Sequence, residues 1–455
     1  MIEERELTGL KGRVVMPEDS DYDRLRQVVL GSVDRHPSAI VRVADAADVS
    51  RVINLARESG AELAVRSGGH SGAGYGTTEG GIVIDVRDLR RIEVDPEART
   101  VRAQSGLTAL DVAQAIDPHG LGIGFGDTGT VGIGGITLGG GVGYLSRRDG
   151  LTIDNLLAAE IVTADGEILT VDAEHHPDLF WAIRGGGGNF GVATEFTYRL
   201  RNLGQVAGGM IILPATADTV AGFMAASEAA PEELTTIANV MTCPPMPFIP
   251  EKLHGSIVVM GMMIWSGPVD DADAVFAPFR ALATPLADML RPMAYPEMFP
   301  AEEGDGEYRP LAVAKTMFMR SVDRELAGRI VAALEASDAP LRAVQLRVLG
   351  GAIARVPADA TAYAHRSSPI MVNVAAFYAG PEDLPRRQQW VDDVAGMLDQ
   401  GESGMYVNFV GDEGATGVQA AYPPATWDRL ARVKAAYDPG NLFRLNQNVP
   451  PAGPA

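Results

Sequence analysis

Cysteine is almost missing from this chain: Cys243 is the only one among 455 residues. A single thiol can form no internal disulfide and cannot supply a zinc–thiolate cluster. Long apolar runs are missing too, since no stretch approaches the ~18 apolar residues of a membrane-spanning helix. The acidic first residues, 1–6, lack the apolar segment of a secretion signal. From these absences we expect a soluble protein in the reducing cytoplasm.

Positive charge is also scarce. Lysine and arginine number 38 against 59 aspartates and glutamates, which gives a formal net charge of −21. Such a chain repels nucleic acid and anionic membranes unless it carries a local basic patch, and no such patch is visible. No repeat of 20–50 residues or heptad run is present, and no pattern indicates an oligomeric state. We therefore expect a small-molecule partner, with no nucleic acid, membrane or metal.

Glycine, in contrast, is abundant and concentrated in two segments. The first glycine loop, residues 66–72, reads RSGGHSG and follows the apolar run Leu63-Ala64-Val65; the second, residues 130–143, reads TVGIGGITLGGGVG. Loops so poor in side chains expose backbone N–H groups that can converge on phosphate oxygens. Apolar residues alternate with glycine in the second loop, which predicts a packed hairpin. Together the loops indicate two backbone nests around one large anionic cofactor, with the imidazole of His70 inside the first.

Elsewhere the sequence shows alternating helices and strands. Asp45 is placed to cap a helix whose apolar positions share one face, and Asp165-Gly166 between two apolar runs predicts a hairpin with a type I′ turn. Residues 256–265 and 369–378 are typical of long sheet strands. We predict three parts: 1–205, a substrate-binding domain at 206–404, and a C-terminal segment, 405–455, that returns to the first part.

The ordered motifs of the chain resemble a known family. Besides the two glycine loops they are Asp154-Asn155, Asp165-Gly166, DLFWA at 178–182, RGGGGNFGV at 184–192, YVN at 406–408 and YDPGNLF at 437–443. At this spacing they resemble the FAD-binding region of the vanillyl-alcohol-oxidase superfamily, in its berberine-bridge-enzyme-like branch, and they cover roughly half of the chain. The resemblance implies an α+β fold: a two-part FAD-binding domain plus a substrate domain with an antiparallel sheet covered by helices.

The resemblance also implies a covalent cofactor. In the family the histidine of the first loop bonds to the 8α carbon of the flavin, which here is His70. Many relatives add a second bond from a cysteine just before the second loop. That position falls on Thr128 here, so we expect FAD bound covalently through His70 with no cysteinyl link.

A set of residues is assigned to cofactor binding by the loops and the resemblance together. It consists of Arg66, Ser67, Gly68, Gly69, His70, Ser71, Gly72, Asp127, Thr130, Gly132, Ile133, Gly134, Gly135, Val192, Asn408, Asn446 and Asn448. The resemblance places Val192 near the adenine end of FAD, and Asn446 and Asn448 near its isoalloxazine or ribityl part.

Two residues are assigned to the reaction by the same resemblance. The family position of Val131 lies beside the flavin and controls oxygen access, and a valine there favours oxidase over dehydrogenase. Tyr406 matches a tyrosine at the substrate face that can accept a proton, provided that charge or hydrogen bonding adjusts its pKa from ~10. Tyr295, Tyr308 and Tyr378 are alternative candidates for this base.

The function implied is an FAD-dependent oxidoreductase. We expect it to remove hydride from a carbon that bears a hydroxyl or amine, with molecular oxygen as acceptor and release of hydrogen peroxide. A nitrogen heterocycle, a sugar-like alcohol and a polyketide-type metabolite remain open as substrates. Three alternatives also remain: a dehydrogenase or tailoring enzyme with another acceptor, a non-catalytic flavin carrier, and a serine hydrolase that uses Ser71.

Overall fold

Residues 4–299, 309–411 and 413–453 are described by the computed structural model. The strands in these ranges are β1 Arg13–Val15, β2 Ala39–Arg42, β3 Leu63–Arg66, β4 Ile82–Asp85, β5 Ile92–Asp95, β6 Thr100–Gln104, β7 Leu121–Gly122, β8 Leu156–Val162, β9 Ile168–Asp172, β10 Val192–Arg199, β11 Arg201–Asn202, β12 Val206–Pro214, β13 Leu234–Thr242, β14 Ile257–Trp265, β15 Ala287–Asp288, β16 Arg291–Met293, β17 Leu311–Met319, β18 Arg342–Val348 and β19 Ile370–Tyr378. The α-helices are α1 Tyr22–Arg26, α2 Ala46–Ser59, α3 Ala109–Ile116, α4 Ile133–Gly139, α5 Ser146–Asp149, α6 Pro177–Ala182, α7 Ala217–Ala229, α8 Ala272–Arg280, α9 Arg324–Ala336, α10 Ala352–Arg355, α11 Leu384–Leu398, α12 Gly414–Ala420 and α13 Pro424–Tyr437.

A small mixed sheet carries the first glycine loop. Its order is β1-β2-β4-β3, with β4 parallel to both β2 and β3. Helix α2 packs on it through its apolar face. Asp45 caps this helix as predicted, accepting from the N–H of Asp48 at 3.0 Å. The first glycine loop leaves the carboxyl end of β3. A loop at that edge of a parallel sheet is well placed to bind a ligand.

A five-stranded antiparallel sheet follows, in the order β5-β6-β10-β8-β9. Strands β8 and β9 form the hairpin that Asp165-Gly166 predicted, but the predicted type I′ turn is wrong. Gly166 has a positive φ of 83°, whereas Asp165 does not, and the N–H of Gly166 donates to the carbonyl of Thr163 at 3.0 Å. A type I′ turn needs both central residues at positive φ, so this five-residue loop uses a different turn.

The second glycine loop differs from the predicted hairpin. Residues 133–139 form helix α4, and an isolated bridge pairs Thr108 with Gly132 just before it. The N–H of Ile133 donates to the carbonyl of Leu107 at 3.0 Å. Ile133 and Leu138 are buried in the core of the five-stranded sheet. A helix buries these two side chains as well as a hairpin would. Alternation of glycine with aliphatic residues therefore did not decide between the two structures.

An eight-stranded antiparallel sheet fills the middle of the chain. Its order is β15-β12-β14-β13-β18-β19-β17, with β16 also paired to β12. Strands β14 and β19 confirm the two long strands that the sequence predicted. One face packs against α7, α9 and α11, whose apolar residues share a core with alternate strand positions. The opposite face is directed toward the two glycine loops, as the site geometry below shows.

The C-terminal helix fixes the end of the chain. Helix α13 begins at Pro424, since proline suits the first helical turn. Lys434 is fully buried and donates to Asp438 at 2.7 Å and to the carbonyls of Asn189 and Phe443 at 2.7 and 2.8 Å. The last residues are thereby held against the segment before β10. None of the helices in the described ranges has the length and apolar character needed to span a membrane.

Candidate active site

A cavity of about 340 Å³ lies where the two glycine loops meet the C-terminal segment. Its walls come from residues between Leu63 and Ala193 and between Tyr406 and Gln447. Most of the residues assigned from the sequence line it: Arg66, Ser67, Gly68, Gly69, His70, Ser71, Asp127, Val131, Gly132, Gly134, Gly135, Val192, Tyr406, Asn408 and Asn446. Segments more than 300 residues apart in the sequence therefore converge on one cavity.

Four of the assigned residues lie outside this wall. Gly72 follows the lining part of the first loop, and Thr130 stands behind His70. The side chain of Ile133 is fully buried in the core of the five-stranded sheet. Asn448 has a buried side-chain oxygen without a hydrogen-bond partner in the described structure. For these four positions, as for the residues on the wall, direct contact with a cofactor stays a prediction.

The two glycine loops touch each other through their backbones. A Cβ atom added to Gly68 would lie 2.3 Å from the backbone nitrogen of Gly132, and one added to Gly132 would lie 2.1 Å from Ser67 Oγ. Neither position has room for a side chain. Such close approach explains why glycine occupies both sites, and it brings the two loops to one side of the cavity.

The cavity fits the dinucleotide cofactor that the resemblance implies. A Cβ atom added to Gly135, Gly187 or Gly188, all on the wall, would meet no atom within 4 Å, so these glycines leave space that a bound group can fill. The buried atoms Ser105 Oγ and Asn446 Oδ1 on the same wall lack a hydrogen-bond partner among the described residues. Open backbone and unpaired polar atoms are what a phosphate- and ribityl-bearing ligand requires.

His70 is oriented by a neighbour on the other loop. Its Nε2 atom lies 3.2 Å from the hydroxyl oxygen of Thr130. The side chain lines the cavity and is half-buried. The contact with Thr130 thus links the imidazole in the first glycine loop to the start of the second.

Three N–H groups donate to the phenolic oxygen of Tyr406. The backbone N–H groups of Gly141 and Val142 donate at 2.9 and 3.2 Å, and Asn408 Nδ2 donates at 2.9 Å. The Asn408 amide is held in turn by a 3.1 Å bond to the carbonyl of Ile136. Donors converging on a phenolic oxygen favour its anionic form. The arrangement can therefore hold negative charge on Tyr406.

Burial acts against that effect. It raises the pKa of Tyr406, while the bonds from Asn408, Val142 and Gly141 and the positive charge of Arg347 act to lower it. The phenol is consequently protonated at neutral pH in the protein alone. The three donors and Arg347 nevertheless make the loss of its proton less costly than burial alone would make it.

The other candidate tyrosines lie elsewhere. Tyr295 is fully buried in an apolar cluster, with its ring 5.5 Å from that of Phe299, and burial raises its pKa. Tyr378 belongs to the core beneath the helices of the eight-stranded sheet. Tyr308 lies outside the described residues. Of the three candidates with a described position, Tyr406 is the one on the cavity wall.

Arg347 on β18 was not identified from the sequence. Its Nη2 atom donates to Asp127 Oδ2 on the cavity wall, and its guanidinium lies 5.3 Å from the centre of the Phe409 ring. Gln345, two residues earlier, accepts from Arg347 Nε at 3.0 Å. Gln345 and Arg347 alternate with apolar residues in β18, which indicates that this part of the strand has one polar face. That pattern does not show that Arg347 meets Asp127, 220 residues away in the sequence.

Buried polar contacts also organise the C-terminal part of the wall. Asn446 Nδ2 donates to the carbonyls of Gly188 and Phe443 at 3.2 and 2.9 Å, so its oxygen is the free end of the amide. Asn189 donates to the carbonyl of Gln447 at 3.0 Å. The residues before β10 and the last part of the chain thus form one wall, in which Asn446 Oδ1 is held in place as a hydrogen-bond acceptor.

Comparisons with known proteins agree with this geometry. The family model described as "FAD binding domain" matches residues 37–172, and the one described as "Berberine and berberine like" matches residues 405–450. The chain is 31% identical to (R)-6-hydroxynicotine oxidase of Paenarthrobacter nicotinovorans, with 98% of each chain covered. It is 28% identical, again over 98% of each chain, to the uncharacterized FAD-linked oxidoreductase YgaK of Bacillus subtilis.

Solved structures give the same result for the fold. The crystal structure of 6-hydroxy-D-nicotine oxidase from Arthrobacter nicotinovorans matches with a TM-score of 0.85 at 28% identity, covering 98% of this chain and 99% of that one. A xylooligosaccharide oxidase from Myceliophthora thermophila matches with a TM-score of 0.85 at 23% identity, over 99% of both chains. These matches confirm the predicted fold class.

Proposed function

Because the chain belongs to the berberine-bridge-enzyme-like family of FAD-linked oxidoreductases, we propose that it oxidises a small molecule at a carbon bearing a hydroxyl or amine. The observation that carries this proposal is the phenolic oxygen of Tyr406, which receives three N–H donors at the wall of a glycine-lined cavity. Molecular oxygen is the proposed electron acceptor, with hydrogen peroxide as the second product.

The chain's own residues would hold FAD as follows. The two glycine loops offer backbone N–H groups to the pyrophosphate, and His70 forms the one covalent bond to the flavin. Thr130 Oγ1 lies 3.2 Å from Nε2 of His70, which helps to hold the imidazole at the cavity wall where the flavin would bind. Thr128, at the position of the second linkage in relatives, lines the cavity and has a hydroxyl instead of a thiol. Bound FAD supplies the electron acceptor for the bond cleaved at the substrate carbon.

Tyr406 would act as the base. For an alcohol, its phenolate oxygen takes the hydroxyl proton while the carbon loses a hydrogen together with the bonding electron pair, so that C–OH becomes C=O. The N–H groups of Gly141 and Val142 and the amide of Asn408 hold the oxygen in place. Arg347 adds a positive charge that lowers the cost of the anion.

Val131 would control the access of oxygen. Its side chain lies on the cavity wall beside Gly126 and Gly132. An added Cβ on Gly126 would lie 3.8 Å from Val131 Cγ1, so the two residues border the same space. A longer aliphatic side chain at position 131 would reach into it.

The cavity also supports the proposed division of the chain. Its wall comes from residues 63–193 and 406–447, which lie in the proposed FAD-binding parts 1–205 and 405–455. The eight-stranded sheet lies between them in sequence, starting at Val206. We therefore propose that residues 206–404 form the substrate-binding domain.

Anaerobic mixing with substrate candidates tests the function. The purified protein should be yellow, and an oxidisable alcohol or amine should bleach its absorbance near 450 nm, with colour returning when air is admitted. A Tyr406→Phe variant should bind FAD equally but bleach at least about 100-fold more slowly. A yellow protein that no alcohol or amine bleaches would support a flavin carrier instead. Bleaching without return of colour in air would indicate another acceptor, and labelling of Ser71 by a fluorophosphonate would indicate a hydrolase.

A further inference from the structure

The face of the eight-stranded sheet opposite its helices carries side chains in register across six strands. The row nearest the cavity, here called the inner row, consists of Met210, Met262, Ile237, Arg347, Met371 and Phe318. The next, called the middle row, consists of Ile212, Met260, Asn239, Gln345, Asn373 and Thr316. Each position lies two residues from its counterpart in the other row, so both rows project from the same face.

The inner row packs against the cavity elements. Phe318 and Met371 belong to an apolar cluster that also contains Val142 and Tyr406. Arg347 donates to Asp127 on the cavity wall. The middle row is therefore the next surface that a molecule extending out of the cavity along the sheet would meet.

Three amides stand next to one another in the middle row. Arg347 donates to Gln345 Oε1, and Gln345 Nε2 donates to Asn239 Oδ1 at 2.8 Å. Asn239 Nδ2 continues the series by donating to the carbonyl of Met260 at 3.2 Å. All these bonds run in one direction, away from Asn373. Gln345 and Asn239 therefore have partners for their side-chain oxygens within the series, whereas Asn373 takes no part in it.

Asn373 is the free amide of the row. It pairs in register with Gln345 on one side and with Thr316 on the other. Its Oδ1 atom is buried and has no hydrogen-bond partner among the described residues, while the hydroxyl of Thr316 donates to the carbonyl of Val372. A buried amide oxygen without a donor is costly, so it calls for a ligand group that donates to it.

The other end of the middle row is apolar. Met260 and Ile212 continue it, buried in one cluster with Cys243 and Ile249, and the half-buried Met241 lies two residues beyond Asn239 on the same face. Methionine side chains adapt to apolar bodies of varied shape. The face thus combines an apolar half with a single unpaired amide.

Charge is almost lacking on this face. Across both rows Arg347 is the one ionisable residue, and Asp127 already pairs with it. A cationic amine placed here would lose water without gaining a carboxylate, which disfavours its binding. An uncharged hydroxyl can donate to Asn373 Oδ1 at no such cost.

We infer that the middle row selects the substrate, that it takes an uncharged molecule with an apolar body and a hydroxyl group, and that Asn373 is the specificity-determining residue. This inference rests on the proposed function and narrows it to hydroxylated neutral substrates. It places a substrate hydroxyl, separate from the group that Tyr406 deprotonates, against Asn373 Oδ1 and the apolar body against Met241.

Binding of compounds that cannot be oxidised tests the inference independently of turnover. The probes are 2-methyl-4-phenylbutan-2-ol, its methyl ether and 2-methyl-4-phenylbutan-2-amine, whose carbon beside oxygen or nitrogen bears no hydrogen. Their dissociation constants are measured at pH 7 from the perturbation of the oxidised flavin spectrum of the holoenzyme. We expect the alcohol to bind about tenfold more tightly than the ether and the cationic amine, as one hydrogen bond allows.

Two variants and a control test whether Asn373 causes the difference in binding between the probes. Asn373→Leu should bring the alcohol-to-ether ratio close to one, and Asn373→Asp should make the amine the tighter ligand. Gln389→Leu, which removes an exposed amide on α11, should leave all three constants unchanged. Because the ratio is taken within one variant, partial loss of folded protein does not affect it.

The opposite results overturn the inference. Equal binding of alcohol and amine by the wild-type protein, an unchanged alcohol-to-ether ratio in Asn373→Leu, or no binding of the alcohol each count against it. Failure here leaves the anaerobic bleaching of oxidisable compounds untouched. Conversely, selective binding without any bleaching by oxidisable alcohols would remove the proposed function and keep the binding site.

Discussion

Arg347 donates to Asp127, and this ion pair joins the eight-stranded sheet to the residues that precede the second glycine loop. The two partners differ in exposure, because the side chain of Arg347 is 5% accessible and that of Asp127 is 25% accessible. Gln345 also accepts from Arg347 at 2.8 Å. The guanidinium is therefore the buried member of the pair, and the carboxylate is partly solvated.

The first prediction follows from this asymmetry. Asp127→Ala should lower the free energy of unfolding by about 3 kcal/mol, since it leaves the buried charge of Arg347 without a counter-charge, with only Gln345 and the Phe409 ring beside it. Arg347→Met should cost about 1 kcal/mol. Urea denaturation of both single variants and the double variant measures these values. The double variant should cost less than the sum of the two. Equal costs, or strict additivity, would contradict the pairing.

The second prediction concerns pH. Burial raises the pKa of Tyr406, and a base must be deprotonated, so kcat/KM should rise with pH from 7 to 9. Asn408→Leu removes a donor to the phenolic oxygen, which raises the pKa further and should lower kcat/KM about tenfold at pH 7. Because the pKa of Tyr406 lies above its ordinary value in both proteins, the deficit should persist from pH 7 to 9 while both values of kcat/KM rise, and it should shrink only as the pH approaches that pKa. Arg24→Gln, on the surface far from the cavity, serves as control. A wild-type kcat/KM that stays constant from pH 7 to 9 would speak against Tyr406 as the base.

The third prediction concerns the covalent bond. His70→Ala should fold and bind FAD reversibly, but acid precipitation should leave a colourless pellet and a yellow supernatant. The wild-type pellet should be yellow, and mass spectrometry should find FAD on the peptide that contains His70. Ser71→Ala, the neighbouring residue on the loop, should retain the yellow pellet. An unmodified His70 peptide from wild-type protein grown with ample riboflavin would exclude the linkage.

The fourth prediction concerns oxygen. Val131→Leu should slow the return of flavin colour in air by at least about tenfold, because the larger side chain fills space on the cavity wall that oxygen needs. Anaerobic bleaching by substrate should change less than threefold by the same reasoning. Stopped-flow absorbance measures both rates in one preparation. Equal slowing of the two rates would indicate a general distortion of the site instead of a gate.

The fifth prediction concerns Lys434, whose amine is fully buried among Asp438 and two carbonyls. Lys434→Met should lower the free energy of unfolding by about 3 kcal/mol, because it leaves Asp438 buried without its cation. It should also weaken reversible FAD binding in a His70→Ala background, since the segment that carries Asn446 loses its anchor. Lys252→Met, at an exposed position outside the cavity wall, is the control. Unchanged stability would show that backbone donors alone hold Asp438.

Much of the site could be predicted from the sequence because it lies in short continuous motifs. The first glycine loop follows β3 directly, and glycine at 68 and 132 is required by backbone contact. The local cap at Asp45 and the hairpin around Gly166 also depend on neighbouring residues only. Local chemistry fixes such features, so the pattern of residues is sufficient to find them.

The remaining features needed the tertiary structure. Gly141 and Tyr406 are 265 residues apart, and nothing in either segment shows that an N–H of one meets the hydroxyl of the other. Whether residues 133–139 form a helix or a hairpin was decided by their packing on the five-stranded sheet. The same holds for Asn373, whose place in the middle row depends on the pairing of six strands.

The sequence by itself indicated the family and, through that resemblance, the fold class, because the motifs that carry the resemblance are short continuous segments. Only the tertiary structure decided which donors surround Tyr406, that Arg347 pairs with Asp127, and which amide is left without a partner. Those contacts join distant parts of the chain, and their geometry is set by sheet register and core packing, which no single segment encodes.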